Sequence, residues 1–371
     1  MERLRNLLKF RWVGAVIIFL VVFIVIGFLT IIATFDKNNE QQKKVGFIIL
    51  GDINEPGWNL SLYEGIKAAC DEYDLKLLVR DNVKENSGQC PAAIDELVNE
   101  GAGLIILASY SYAAEVKDFV TKYPNVSFTT IATEANARNM TSHFIRIYQA
   151  RYLSGVLAGM RTKSNVLGYV AAMPNSEVNR GINAFALGAQ RVNPETKVVV
   201  TWTNTWQDAQ TEEICTRRLI EETGADFITY HQDDDTVAKV AEQLGVDFVA
   251  YNTTLQGYSR HYLASIICHW DFYYMDIVQK YLKGELNSVK NNWLGINKAA
   301  VLLSQFSGLV TIEMRRKLAA IQQELWNDKI IFSGEIYDNQ GNLRCGEGET
   351  ISDDTLIERI DWLVKGVEVL E

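Results

Sequence analysis

From Lys44 to Tyr251 the chain alternates short β-rich runs with amphipathic segments of helical length, and no other property narrows the fold so far. The spacing predicts strands over 45–50, 75–80, 103–108 and 126–131, then over 166–171, 198–202, 227–230 and 248–251. Helices are expected between them, over 61–73, 92–100, 113–123, 180–192 and 208–222. Strands separated by helices build βαβ units, because neighbouring parallel strands need a long crossover connection, usually a helix. The expectation is an α/β protein with two doubly wound parallel-sheet lobes around a hinged cleft. The stretch 147–161 separates the two sets of strands, so the crossing between lobes is placed there: lobe 1 over 45–150, lobe 2 over 151–257. Part of 258–300 is assigned to the first lobe and part of 301–371 to the second, since a cleft bridged by several crossing segments can hinge as one unit. In this tail, Asp338-Asn339-Gln340-Gly341 marks the turn of a hairpin over 335–344. A last helix over 355–369 would be capped by Ser352 or Asp353.

Ahead of this region lies a segment of different character. Residues 12–35 are uncharged and almost wholly apolar, and about 20 such residues cross a bilayer as a helix. Arg3, Arg5, Lys9 and Arg11 crowd one flank, while Asp36 and Lys37 open the other. This asymmetry places 1–11 in the cytoplasm and everything beyond the span outside it. The run exceeds the apolar core of a cleaved signal peptide, roughly 7–15 residues, and Ala33-Thr34-Phe35 is a poor cleavage site. No cysteine stands near it to carry a lipid. We read a single-pass anchor in the cell membrane, with 36–44 as a polar tether to an extracytoplasmic domain. The net charge of −10 and the lack of a basic stripe argue against a nucleic-acid partner. The five cysteines are scattered without metal-ligand spacing. They read as small buried apolar side chains, with Cys70–Cys90 the pair to consider if one disulfide forms.

Catalytic signatures are missing: the chain has no G-x-S-x-G, H-E-x-x-H, P-loop or G-x-G-x-x-G. Its four histidines are isolated, and none is paired with an obvious nucleophile. His231-Gln232-Asp233-Asp234-Asp235 suggests either a metal site or, more simply, a strand-end loop whose acids cap the next helix. No enzyme activity and no cofactor are expected. What remains is binding. In open α/β sheets ligands collect beyond the carboxyl ends of the strands. Trp58 and Trp206 both follow predicted strands, one in each lobe. Their faces suit a flat ring, although packing would employ them equally well. Asn59, Asp208, Asp233 and Asn252 also stand just past strand ends. There they can read ring N–H groups and ring nitrogens, or form turns and helix caps. Trp270, with Phe272, Tyr273 and Tyr274, is bulky enough to line a cleft or to fill a core.

A resemblance adds to these readings. It is carried by Gly57-Trp58, by 146–159, and by Ser164-Asn165-Val166-Leu167-Gly168-Tyr169-Val170-Ala171-Ala172. It continues through Glu177-Val178-Asn179-Arg180-Gly181-Ile182-Asn183-Ala184-Phe185-Ala186-Leu187-Gly188-Ala189 and Arg191-Val192-Asn193-Pro194. Thr203-Asn204-Thr205-Trp206-Gln207-Asp208 and His231-Gln232-Asp233 complete it. Together these blocks resemble the basic membrane protein family of solute-binding proteins, the purine nucleoside receptor group, and most closely its purine-base branch. The resemblance covers 44–284 well and the tail loosely. It implies a type I periplasmic-binding fold whose two lobes close on a purine base or nucleoside and deliver it to an ABC permease. By position, Trp58 and Trp206 match the two aromatics that sandwich the base, an arrangement worth about 1–3 kcal/mol per base in nucleic-acid complexes. Arg180 lies in a matched block and joins the implied ligand-binding set.

The departures from the family pattern lie around that clamp. Asn252-Thr253-Thr254 stands where nucleoside-binding members carry an acidic pair. Cys268 replaces a lysine, or an aromatic in the purine branch; Glu134 replaces a glycine, and Leu62 a histidine. The clamp is kept while the groups at the ring edge differ, so the expected ligand is a purine or another flat heterocycle. The expected partners are that ligand, an ABC permease and the membrane, for a monomeric chain. The rival reading is a ligand-sensing ectodomain that signals through a membrane partner.

Overall fold

The computed structural model describes residues 44–54, 57–131, 137–252, 260–286 and 291–371, with 22–24 and 26–27. Two parallel sheets dominate them. In the first, β1 (Lys44–Ile48), β2 (Lys76–Arg80), β3 (Leu104–Leu107), β4 (Ser127–Ile131), β5 (Met140–Ile145) and the late β11 (Asn291–Leu294) run in the order β11-β5-β4-β3-β1-β2, all parallel. The second contains β6 (Val166–Ala171), β7 (Lys197–Trp202), β8 (Phe227–His231), β9 (Asp247–Tyr251), β10 (Tyr262–Cys268), β12 (Val301–Leu303) and β15 (Val367–Val369). Its order is β12-β10-β9-β8-β6-β7-β15, with β12 alone antiparallel to its neighbour. In both sheets the order reverses beside the first strand, at β1/β3 and at β6/β8. Such a switch point opens a crevice at the carboxyl ends of the strands.

Helices of the first unit are α1 (Trp58–Glu72), α2 (Gln89–Asn99) and the short α3 (Tyr112–Val116). Those of the second are α4 (Ile147–Arg161), α5 (Ser176–Val192), α6 (Ala209–Thr223) and α7 (Thr236–Leu244). The chain then supplies α8 (Trp270–Leu282), which packs against α1, and later α9 (Ile312–Trp326) and α10 (Asp353–Glu358). A hairpin of β13 (Ile336–Tyr337) and β14 (Leu343–Cys345) turns at Asp338, whose carboxylate accepts from the backbone N–H groups of Gln340 and Asn342.

Sandwiched strands read as unbroken apolar runs because both faces are covered; β3, Leu-Ile-Ile-Leu, is buried throughout. Strand β5 escapes that rule. It is buried at every position yet carries Thr141, Ser142 and His143, and it was not among the expected strands. His143 Nδ1 bonds the Thr129 hydroxyl at 2.8 Å, and burial lowers this imidazole to about 3, so it serves the core as a neutral ring. Between α4 and α5 the backbones touch: a Cβ on Gly155 would stand 1.9 Å from the Phe185 carbonyl oxygen, and one on Gly188 2.1 Å from that of Tyr152.

Three expectations are corrected. The helix over 113–123 breaks after Val116 and resumes as a 3-10 turn, Phe119–Lys122. The last helix, capped by Ser352 accepting from the Thr355 N–H, ends at Glu358; residues Val367–Val369 instead pair with β7. Cys70 and Cys90 are free, buried thiols, as are the other three cysteines. The apolar run 12–35 lies outside the described residues except for 22–24 and 26–27, and no described helix is long and apolar enough to cross a membrane.

The chain passes between the two sheets three times: from β5 into α4, from β10 into α8, and from β11 to β12. The passages are tied together. Arg146 N–H donates to the Leu294 carbonyl at 2.7 Å, Ile296 N–H to the Gln149 side chain at 2.8 Å, and His269 N–H to the Ala300 carbonyl at 2.8 Å. The Arg146 guanidinium grips Asp353 through two bonds, at 2.7 and 2.5 Å.

Candidate ligand-binding cleft

The two sheets face each other at the carboxyl ends of their strands. Gly57, the residue before α1, has φ 124°, a conformation open to glycine. It also lies against the other unit: a Cβ there would sit 2.0 Å from the Asp233 carbonyl oxygen. The same oxygen accepts from the Trp58 N–H at 3.4 Å. Trp58 thus begins α1 at the point of contact. Its indole meets Trp270 edge-on at 5.4 Å and lies nearly parallel to Tyr251, centroids 6.3 Å apart. From the second unit, Trp206 sits in the loop after β7. Its carbonyl accepts from the Asp233 N–H at 2.9 Å, and the Gln232 amide, turned toward the loop, donates to the carbonyls of Thr205 at 3.1 Å and Trp206 at 3.0 Å. The Trp206 ring stands edge-on to His231 at 5.9 Å.

Both tryptophans line a narrow cavity of about 30 Å³ that opens to solvent. Leu50, Ser109, Tyr110 and Ile131 complete its wall on the first side. Glu177, His231, Asp233 and Tyr251 do so on the second. Each wall residue follows or ends a strand: β1, β3 and β4 in one sheet; β6, β7, β8 and β9 in the other. A concave site lined by apolar and aromatic side chains with a few converging polar groups is the usual form of a small-molecule site.

The polar floor belongs to the second unit. Glu177 lies in the first turn of α5, whose N-cap Asn175 accepts from the Val178 N–H at 3.0 Å. Burial pushes its carboxyl up to about 7, against the opposing pull of Arg180 and Arg151. His231 is buried 3.7 Å from it (Nε2 to Oε1). Burial first, then the charges of Arg151 and Arg180, hold this imidazole well below its usual range, so it is neutral. Arg151 is wholly buried behind them; it donates to the Tyr230 carbonyl at 2.7 Å and lies 4.4 Å from the centre of the Tyr251 ring.

Comparison with known proteins places this architecture. The sequence profile of the ABC transporter substrate-binding protein PnrA-like family (Bmp) matches residues 42–341. The chain belongs to that family. A purine-binding protein of Brucella abortus is 29% identical over 341 residues, which cover 89% of this chain and 94% of that protein. A protein of Haloferax volcanii described as an ABC transporter glucose-binding protein is 28% identical over 325 residues, covering 87% and 79%. A solute-binding protein of an ABC transporter system from Aeropyrum pernix superposes with a TM-score of 0.66 over 84% of this chain and 95% of its own, at 13% identity, a likeness of fold alone.

Of the residues singled out in this family member's sequence, the cleft brings together Trp58, Trp206 and Asp233. The other described ones do not line it. Asn59 is buried with its amide against Gly51, and Trp270 is buried behind Trp58. Asn252 accepts from the Cys268 N–H at 3.3 Å, and both lie at strand ends behind the cavity wall. Asp208 caps α6, accepting from the N–H groups of Gln210 and Thr211 and from the Thr211 hydroxyl. These bonds hold its carboxyl below the usual range. Arg180 is buried one layer back, donating to the Leu356 carbonyl and lying 5.0 Å from the Trp293 ring centre. Glu134 lies outside the described residues.

Sequence reasoning missed Glu177, His231, Tyr251, Tyr110 and Ser109 as wall residues. His231 and Gln232 are buried, so the solvated loop expected there begins only at Asp233. The signal for them was the one used for Trp58, a position at or just past a strand end. Glu177 was hidden because acids are common in a helix's first turn. Among the described residues no group of His, Cys, Asp and Glu is arranged to hold a metal ion.

Proposed function

We propose that this protein is the extracytoplasmic binding component of an ABC importer, held at the membrane by residues 12–35. It captures a flat heterocycle, a purine base or nucleoside, between Trp58 and Trp206 as its two lobes close, and then docks on its permease as a monomer. One observation carries the reading: a tryptophan from each sheet unit borders the same cleft. The family supports solute binding and an ABC permease partner, and the Brucella relative supports a purine. The Haloferax relative names the competitor, a sugar, which also stacks on aromatic faces.

A ligand bound only by the folded state raises its unfolding midpoint. The purified chain is therefore scanned with adenine, guanine, hypoxanthine, their nucleosides and glucose at millimolar concentration. At least one purine is expected to shift the midpoint, and Trp206→Ala to lose that shift while the free protein unfolds at an unchanged temperature. A shift with glucose and with no purine overturns the ligand class and leaves the binding-protein assignment standing.

A further inference from the structure

Three polar groups line the cleft from neighbouring strand ends and the helix that follows one of them. In the sheet order β9-β8-β6, Tyr251 ends β9, His231 ends β8, and Glu177 follows β6 at the head of α5. All three border the cavity together with both tryptophans. The Tyr251 hydroxyl and His231 Nδ1 are buried without a protein partner. The Glu177 carboxylate stands 3.7 Å from His231 Nε2, too far for a hydrogen bond. Buried polar groups are normally paired, so a buried hydroxyl left unpaired at the wall of a ligand cleft is one that a ligand can complete. Of the groups first suspected of this role, Asp208 caps α6, and Asn59 and Asn252, each with one amide atom also buried and unpartnered, do not line the cavity.

Resting on the proposed function, we propose that Glu177 determines specificity in this cleft. Its carboxylate accepts from an N–H edge of the heterocycle, and the Tyr251 hydroxyl offers a second polar contact. The ligand class is then a flat ring with N–H donors on the edge facing the second lobe; a fully N-alkylated ring stacks without satisfying the floor. Sites built to hydrogen-bond a group reject analogues that lack it far more strongly than apolar pockets do.

The test measures, by calorimetry on the purified full chain, binding of adenine, guanine, hypoxanthine and 1,3,7-trimethylxanthine, the last of which has no N–H. Wild type is expected to bind at least one N–H-bearing base tenfold or more tighter than trimethylxanthine. Glu177→Gln keeps the side chain's shape and reverses part of its bonding. It is expected to lose at least tenfold on the preferred base and to hold trimethylxanthine unchanged. A merely structural Glu177 would move both ligands together. Should that variant fail to fold, Tyr251→Phe carries the same comparison, with selectivity again expected to fall. Equal selectivity in wild type and the folded variants overturns the inference while leaving the clamp intact. A wild type that binds none of the four rings overturns the proposed function, and this inference with it.

Discussion

At the scale of single residues, the sign of the Glu177 shift sets two opposing pH dependences. Burial raises its carboxyl from 4.5 to about 7. An acid raised in the folded state favours the protonated form, so its contribution is most favourable below 4.5 and is lost as pH rises through 7. A shift of that size corresponds to about 3 kcal/mol. Removing the charge should therefore stabilise the ligand-free protein: Glu177→Gln is expected to melt higher than wild type at pH 7.5, with the gap closing toward pH 4. Scanning calorimetry at the two pH values checks it. The groups facing this carboxyl are Arg180 on its own helix, Arg151 on α4, neutral His231 on β8, Tyr169 on β6, Tyr251 on β9 and Cys268 on β10. Ligand binding runs the other way. A base that donates N–H to the carboxylate needs it ionised, so its affinity should fall as pH drops below about 7.

At the scale of elements, backbone contact fixes two places. Where α4 crosses α5, Gly155 and Gly188 each leave no room for a Cβ against the opposite helix. Gly155→Val is expected to cost about 3 kcal/mol or more, read as a lowered denaturation midpoint, because neither backbone can withdraw without unpacking the second sheet. Gly57→Ala acts elsewhere: its added methyl meets the Asp233 carbonyl across the cleft. It is expected to weaken ligand binding by hindering closure more than it lowers the melting temperature. The elements also differ in how legible they were. Apolar strands such as β3 and β9 and the helices between them follow from alternation alone. Strand β5 did not, since its buried Thr141, Ser142 and His143 imitate a polar segment. Strands β12 and β15 did not, since three-residue edges are defined by the neighbour they pair with. Trp58 and Trp206 stood out as aromatics in polar loops. Glu177, His231 and Tyr251 did not: the last two end strands, but that all three border one cavity is a property of the fold and not of local sequence.

At the scale of the whole molecule, two parallel sheets are joined by three passages tied to one another by Arg146, Gln149 and His269. Tied passages of this kind suit the hinged closure proposed for the two units. Closure would bring a face from each unit onto one ring, so both tryptophans should contribute. Titration calorimetry of the best-binding purine against wild type, Trp58→Ala and Trp206→Ala, with the unfolding midpoint of each free protein recorded alongside, tests this most directly. Each variant is expected to bind roughly tenfold or more weakly, as stacking of about 1–3 kcal/mol per base implies, at little changed stability. Binding as tight as wild type in both variants would contradict a ligand held between the two tryptophans.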